Sequence, residues 1–194
     1  MKKLLTTATT LLLCSIAFTQ LKIIPKVGIN VSNFTQEDDI FESQGAFGFG
    51  AGIDARIGGR FYFAPGLYYL SSQSEIKKFN NITYDDVVKF STIEIPLTIG
   101  FHIISTDNLK IGLKAGIEGA YFASIKEVAA IDQDDYQRLN WGFQFGAGVD
   151  IKRFTIDLKY DLGRNPVVKD NVADNFNPSY NKVHLYIGYI ISKK

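Results

Sequence analysis

This 194-residue chain has one cysteine, one tryptophan and no uninterrupted apolar run as long as the ~20 residues of a membrane-spanning helix. The cysteine, Cys14, lies within the first twenty residues, so the chain beyond them cannot use a disulfide. An excess of one charge is missing too. Twenty-one Lys and Arg stand against 20 Asp and Glu, a formal net charge of +1, which leaves no basic surface for a nucleic acid. What the chain does contain is 17 Gly, 15 Phe and 10 Tyr, a mixture that favours many strands and tight turns over a helical bundle.

Residues 1–20, MKKLLTTATTLLLCSIAFTQ, open with Lys2 and Lys3, continue through an uncharged apolar run and end in small residues. This is the pattern of a secretory signal peptide. Ser15 with Ala17, or Ala17 with Thr19, satisfies the small-x-small cleavage rule and puts the mature start between Phe18 and Leu21. Lipidation at Cys14 is disfavoured by Leu13, which stands where a lipoprotein signal has a small residue. The expectation is a cleaved leader over 1–20 and a single domain over 21–194 that reaches an oxidising compartment.

Beyond the leader the dominant signal is period-two alternation. In residues 47–57, Phe47, Phe49, Ala51, Ile53, Ala55 and Ile57 occupy one face, while Gly48, Gly50, Gly52, Asp54 and Arg56 occupy the other. The same division runs through 93–103, 109–121, 139–151, 154–162 and 183–191, and more weakly through 22–33 and 60–72, which makes eight strands. Their connections alternate. Residues 34–45, 73–86, 124–137 and 163–181 are long and polar, whereas Gly58-Gly59, Ser105 to Asn108 and Lys152-Arg153 are tight. The pattern predicts an all-β, eight-stranded antiparallel up-and-down transmembrane β-barrel, with short periplasmic turns, four longer extracellular loops and both termini in the periplasm.

A soluble periplasmic barrel of the lipocalin kind shares the alternation. Its outward face, however, would carry long Lys, Glu and Gln side chains. Here the polar face is dominated by glycine and by charges of both signs, which suits a crowded interior. The other face carries Phe47, Phe49, Ile95, Ile99, Phe101, Trp141, Phe143 and Phe145 almost without a break, as lipid requires. Lys26, Asp54, Arg56, Glu94, Lys114, Glu118, Asp150, Asp157 and Lys159 therefore point inward and are expected to pair across the lumen. Tyr68, Tyr69, Tyr121 and Trp141 at one end, and Phe61, Phe63, Phe101 and Phe154 at the other, are read as the two interfacial girdles.

Several motifs that suggest chemistry have simpler readings. GAGIDA at 50–55 matches a dinucleotide fingerprint, but Gly58-Gly59 and another strand follow it where a helix is needed. His102, Ser105 and Glu94 are the elements of a barrel-embedded hydrolase, yet Ser105 falls in a turn, and hydrogen bonding in the lumen explains His102 and His184. Glu37-Asp38-Asp39, Asp85-Asp86, Asp132 and Asp134-Asp135 are acidic but lack the glycine and spacing of a calcium loop. No catalytic, cofactor-binding or metal-binding residue is assigned. Val27-Gly28-Ile29-Asn30 and Ala51-Gly52-Ile53-Asp54 match Ala115-Gly116-Ile117-Glu118 and Ala147-Gly148-Val149-Asp150. This is either a four-strand unit used twice or one constraint obeyed by every strand.

The opening PKVGINVSNF at 25–34, FGFGAGIDARI at 47–57, STIEIPLTIGF at 91–101 with its Glu94, Pro96 and Leu97, and HLYIGYI at 184–190 together resemble the outer-membrane β-barrel family typified by PorT, found in Gram-negative bacteria of the Bacteroidetes type. The likeness spans nearly the whole mature chain. It implies an integral outer-membrane barrel and specifies no activity. Eight strands leave room for side chains and little else, which argues against an open pore, so the expectation is a protein without catalytic activity, structural or presenting its extracellular loops to a protein partner or ligand. Its other partners would be outer-membrane lipids, lipopolysaccharide and the insertion machinery. Barrels of this kind end on an aromatic residue, whereas here Ile191, Ser192, Lys193 and Lys194 follow Tyr189. The competing functions are a barrel-embedded enzyme acting on lipid or lipopolysaccharide, and a soluble carrier.

Overall fold

A computed structural model of the protein describes residues 21–35, 41–79, 82–125, 138–163 and 179–192. They form β1 (Leu21–Thr35), β2 (Phe41–Gly58), β3 (Phe61–Phe79), β4 (Ile82–Ser105), β5 (Leu109–Ile125), β6 (Leu139–Ile151), β7 (Phe154–Gly163), β8 (Ser179–Tyr189) and the short β9 (Ile191–Ser192). Each strand from β1 to β8 is antiparallel to the next, and β8 pairs back onto β1. The sheet is closed. β9 continues β8 past Ile190, whose N–H donates to the Arg153 carbonyl at 2.7 Å, and pairs with Lys22 and Ile23 of β1. Counting β8 and β9 as one strand gives eight. Closure satisfies the backbone without any edge, the condition for strands to cross a bilayer.

Three short turns lie at one end of the barrel, at residues 59–60, 106–108 and 152–153. Leu21 pairs with Ile57, and Ser192 with Lys22, so both described chain ends lie there as well. The turn chemistry is local. Gly58 has φ of 120°, and a Cβ there would sit 2.4 Å from the Phe61 carbonyl oxygen. The Thr106 N–H donates to the Leu109 carbonyl and closes its own turn, while the Lys152 N–H donates to the Asn108 carbonyl and ties that turn to the next, each at 2.9 Å.

Outside and inside follow the alternation. Phe47, Phe49, Ile95, Ile99, Leu113, Trp141 and Phe154 are exposed on the outer wall, while Gly48, Asp54, Glu94, Lys114 and Asp157 are buried within. Tyr69, Ile93, Tyr121 and Leu139 stand directly opposite one another on β3 to β6, a single aromatic-aliphatic rung. At the turn end Phe61 stacks on Phe101 with centroids 4.5 Å apart, and Phe154 meets Tyr189 at 5.5 Å. The girdle assignment fails for Tyr68. Its exposure is 2%, against 54% for Tyr69, because consecutive residues of a strand face opposite sides and cannot both meet lipid.

A second correction concerns 73–86, expected as a polar loop. β3 runs on to Phe79 and β4 begins at Ile82, with Gln73↔Lys89 through Phe79↔Ile82 paired. Backbone ladders need no apolar face once they leave lipid, so the alternation that marks a spanning strand fades while the pairing persists. The expected loop 34–45 is likewise shortened, since 34–35 belong to β1 and 41–45 to β2, while 36–40 and most of 124–137 and 163–181 fall outside the described residues.

The inward glycines make space. Tyr186 is paired with Gly28, Tyr68 with Gly52 and Tyr62 with Gly100, and in each pair the ring lies over the glycine. A Cβ at Gly28 would approach Tyr186 Cδ1 to 2.6 Å, at Gly52 Tyr68 Cδ1 to 2.3 Å, and at Gly100 Tyr62 Cζ to 2.1 Å. Gly52 is also confined by the Leu67 carbonyl oxygen, at 2.5 Å, so the ring cannot simply swing away. Gly119 has nothing within 4 Å of the same position. Gly52→Ala is expected to lower the unfolding free energy by about 1–3 kcal/mol. Gly119→Ala is expected to leave it within about 0.5 kcal/mol or raise it. Urea titration of the folded barrel in vesicles measures both, and equal effects would show that the ring contact does not matter.

Candidate functional site: a charged barrel interior

The interior is filled by side chains from all eight strands, and its charges form three levels. Nearest the turns, Arg56 on β2 reaches Asp150 on β6, with Nη1 to Oδ2 at 2.5 Å and Nη2 to Oδ1 at 3.5 Å. The guanidinium lies over the Tyr62 ring at 4.8 Å, and the His102 ring, tilted at 37°, lies 4.8 Å from the same ring. His102 Nδ1 is 3.1 Å from the Gly59 carbonyl oxygen, and Nε2 is 3.8 Å from Asp150.

At the middle level Asp157 on β7 takes Lys26 at 2.5 Å and Lys114 at 2.6 Å. Lys26 also pairs with Asp54, whose other oxygen accepts from the Tyr68 hydroxyl at 2.7 Å. Lys159 rests its ammonium over Tyr68 at 4.0 Å and Tyr186 at 5.1 Å. At the third level Lys182 on β8 pairs with Glu94 and with Glu118 at 2.8 Å, and lies 3.7 Å from Asp161. Gln144 donates to Glu118 and to Asp161 at 2.8 Å each, and His184 contacts Asp161 at 2.6 Å.

All nine charged residues expected inside are buried there. Asp161, Lys182 and the three tyrosines complete the network and escaped the sequence reading. Asp161 is in phase with Asp157 and Lys159, so continuing the alternation by one step finds it. Lys182 is in phase with His184, but a strand begun at 183 stops one residue short. Among the described residues, six buried carboxylates (Asp54, Glu94, Glu118, Asp150, Asp157, Asp161) face five buried cations (Lys26, Arg56, Lys114, Lys159, Lys182). Near balance is what a sealed interior demands, since an unpaired ion there would be severely destabilising.

The hydrolase constellation does not assemble. Glu94 lies eight residues from His102 on β4, roughly 26 Å along a strand. Ser105 is exposed at the turn end. Glu94, Asp161 and His184 each offer a ligand atom within 4.8 Å of the others, a set suited to a metal ion. The Lys182 ammonium already contacts Glu94, Glu118 and Asp161, and so takes the place a cation would fill. Asp85-Asp86 belongs to β4, while 37–39 and 132–135 lie outside the described residues.

A closed antiparallel sheet of eight strands, densely ion-paired within and lined on its outer wall by Phe47, Phe49, Ile95, Ile99, Leu113 and Trp141, is a transmembrane β-barrel. Residues 18–168 match the family described as outer membrane protein beta-barrel domain; the chain belongs to that family, and its place is the outer membrane. Among solved structures it resembles OprG from Pseudomonas aeruginosa, with a TM-score of 0.55 and 8% identity over 90% of this chain and 97% of that one. It is also similar to Ail of Yersinia pestis in complex with the heparin analogue sucrose octasulfate, with a TM-score of 0.49 and 12% identity over 89% and 99%. The outer membrane enzyme PagL gives a TM-score of 0.49 and 11% identity over 86% and 97%. At such identities the likeness is one of fold alone. No curated protein matches the chain by sequence.

The lumen pairs are expected to be coupled. Arg56→Ala and Asp150→Ala should each destabilise the barrel by about 3–5 kcal/mol, because each strands a buried charge. The double variant should lose distinctly less than the sum of the two. Additive losses in urea unfolding would mean that the two side chains do not interact.

Proposed function

We propose that this protein is a non-enzymatic outer-membrane barrel of the PorT-like type, which anchors and displays its longer connections to a partner rather than conducting solute. The observation that carries the reading is the filled interior. Arg56–Asp150, Lys26–Asp157–Lys114 and Lys182–Glu118 cross it at three levels, every one of these residues at most 7% exposed. A solute path would need these pairs broken and their charges left without partners. The same burial argues against an embedded enzyme, since His184 and Asp161 are only 1% and 3% exposed.

In this reading residues 1–20 are removed on export, and the turn end with both chain ends faces the periplasm. The outer-membrane lipids, lipopolysaccharide and the insertion machinery are its partners in the membrane. The longer connections face outward, and the hairpin of β3 and β4, paired out to Phe79↔Ile82, offers the most extended scaffold for contact with another protein.

The protein is expected to resist extraction by carbonate and urea and to run faster on a gel before boiling than after. Extraction into the soluble fraction would favour the carrier instead. Reconstituted into a planar bilayer, it should show no steady conductance, and His102→Ala with His184→Ala should leave any lipid turnover at background. Regular open-channel steps, or turnover abolished by those substitutions, would overturn the proposal. Trp141, half exposed on the outer wall two residues from the Tyr69–Tyr121 rung, is expected to be quenched most by lipids brominated near the headgroup. Strongest quenching by bromines at mid-bilayer would displace the girdle.

A further inference from the structure

The outer wall is not uniformly bulky. Ile57, Phe63, Ile99, Ala115 and Phe145 stand opposite one another on β2 to β6. Ala115 is the small member of that rung. A groove of about 700 Å³ opens over it, between Ile99, Phe101, Leu113 and Phe145. The groove is open along the wall, and an apolar concavity that faces the bilayer is filled by lipid and not by water.

Phe101, which borders the groove on its turn side, carries a cation. The Arg60 guanidinium carbon lies 5.1 Å from the Phe101 ring centroid, Nε donates to the His102 carbonyl at 3.2 Å and Nη2 to the Ile103 carbonyl at 3.4 Å. Three contacts therefore hold this charge against the lipid-facing wall instead of leaving it free in water. Among the described residues no carboxylate lies within ion-pair distance of it. The described turns carry Arg60, Lys152 and Arg153 against a single acid, Asp107. Arg153 is likewise held to an outer-wall aromatic, donating to the Tyr189 hydroxyl at 3.3 Å.

We propose that the groove and Arg60 form a seat for one anionic phospholipid, with an acyl chain along Ala115 and the headgroup phosphate accepting from the guanidinium. A planar guanidinium matches the geometry of a phosphate, and at the bilayer interface the pair is screened less than in water. The positive turn end favours an anionic headgroup over a zwitterionic one, whose ammonium group it would repel. The groove lies beside the short turns, so in the orientation proposed above it meets the periplasmic leaflet. This selects a phospholipid over lipopolysaccharide. The seat rests on the lipid-partner reading above, which the heat shift on gels tests separately.

The test is native mass spectrometry of the full refolded barrel, released from mixed micelles containing phosphatidylglycerol, phosphatidylethanolamine and lipid A, using only variants that keep the heat shift. One phosphatidylglycerol should be retained per barrel, about tenfold in preference to phosphatidylethanolamine. Arg60→Gln should remove that preference, and Ala115→Trp, which fills the groove, should abolish retention. Lys152→Gln, an equal loss of charge on another turn, should change neither. Equal retention of the two phospholipids, a preference for lipid A, an Ala115→Trp barrel that still holds the lipid, or a Lys152→Gln loss as large as that of Arg60→Gln would each overturn the proposal.

Discussion

Everything in this barrel depends on how little room eight strands enclose. A closed sheet of that size leaves an interior just wide enough for side chains. Several of its longest side chains therefore face a glycine on an adjacent strand. Lys26 sits between Gly52 and Gly188, Lys114 between Gly100 and Gly146, and Tyr68 and Tyr186 each lie beside a glycine on one side. The glycines are thus the counterpart of the lysines and tyrosines, and either set without the other would leave a void or a clash.

That confinement also sets the electrostatics. Because side chains from opposite walls meet near the axis, a lysine reaches two or three carboxylates at once. Lys182 touches residues from β4, β5 and β7, and Asp157 takes lysines from β1 and β5. Lys182–Glu94, Lys182–Glu118, Lys26–Asp157 and Lys114–Asp157 are thereby ties across the barrel between strands that share no ladder. The tyrosine rings work alongside, with Lys159 held over two of them. Outside, the requirement is the opposite. The wall carries aliphatic and aromatic residues, and at the turn end charge returns, with Arg60 over the Phe101 ring and Arg153 donating to the Tyr189 hydroxyl.

Much of the fold was legible in the chain because lipid on one side and a crowded lumen on the other impose a strict two-residue period. Strand number, face and the tight turns follow from that period. It becomes uninformative where either environment ends. Past Gln73 and before Lys89 the two-residue period lapses in the sequence while the backbone pairing of β3 with β4 continues, so that pairing left no trace in the pattern. Tyr68 was misplaced for a different reason: its residue type suits an interfacial girdle, and only its position beside Tyr69 reveals that it faces inward.

By itself, then, the sequence determined which residues face lipid and which face the lumen, since alternation is a property of the single strand. It did not determine partners. Arg56 and Asp150 are 94 residues apart, Lys182 and Glu94 are 88, and Lys26 and Asp54 are 28. Which charges share a level depends on how far each strand is staggered against its neighbours when the sheet closes, a quantity summed over all eight pairings and written in none of them. The groove over Ala115 arises in the same way, from one small residue aligned by register with bulky ones on four other strands.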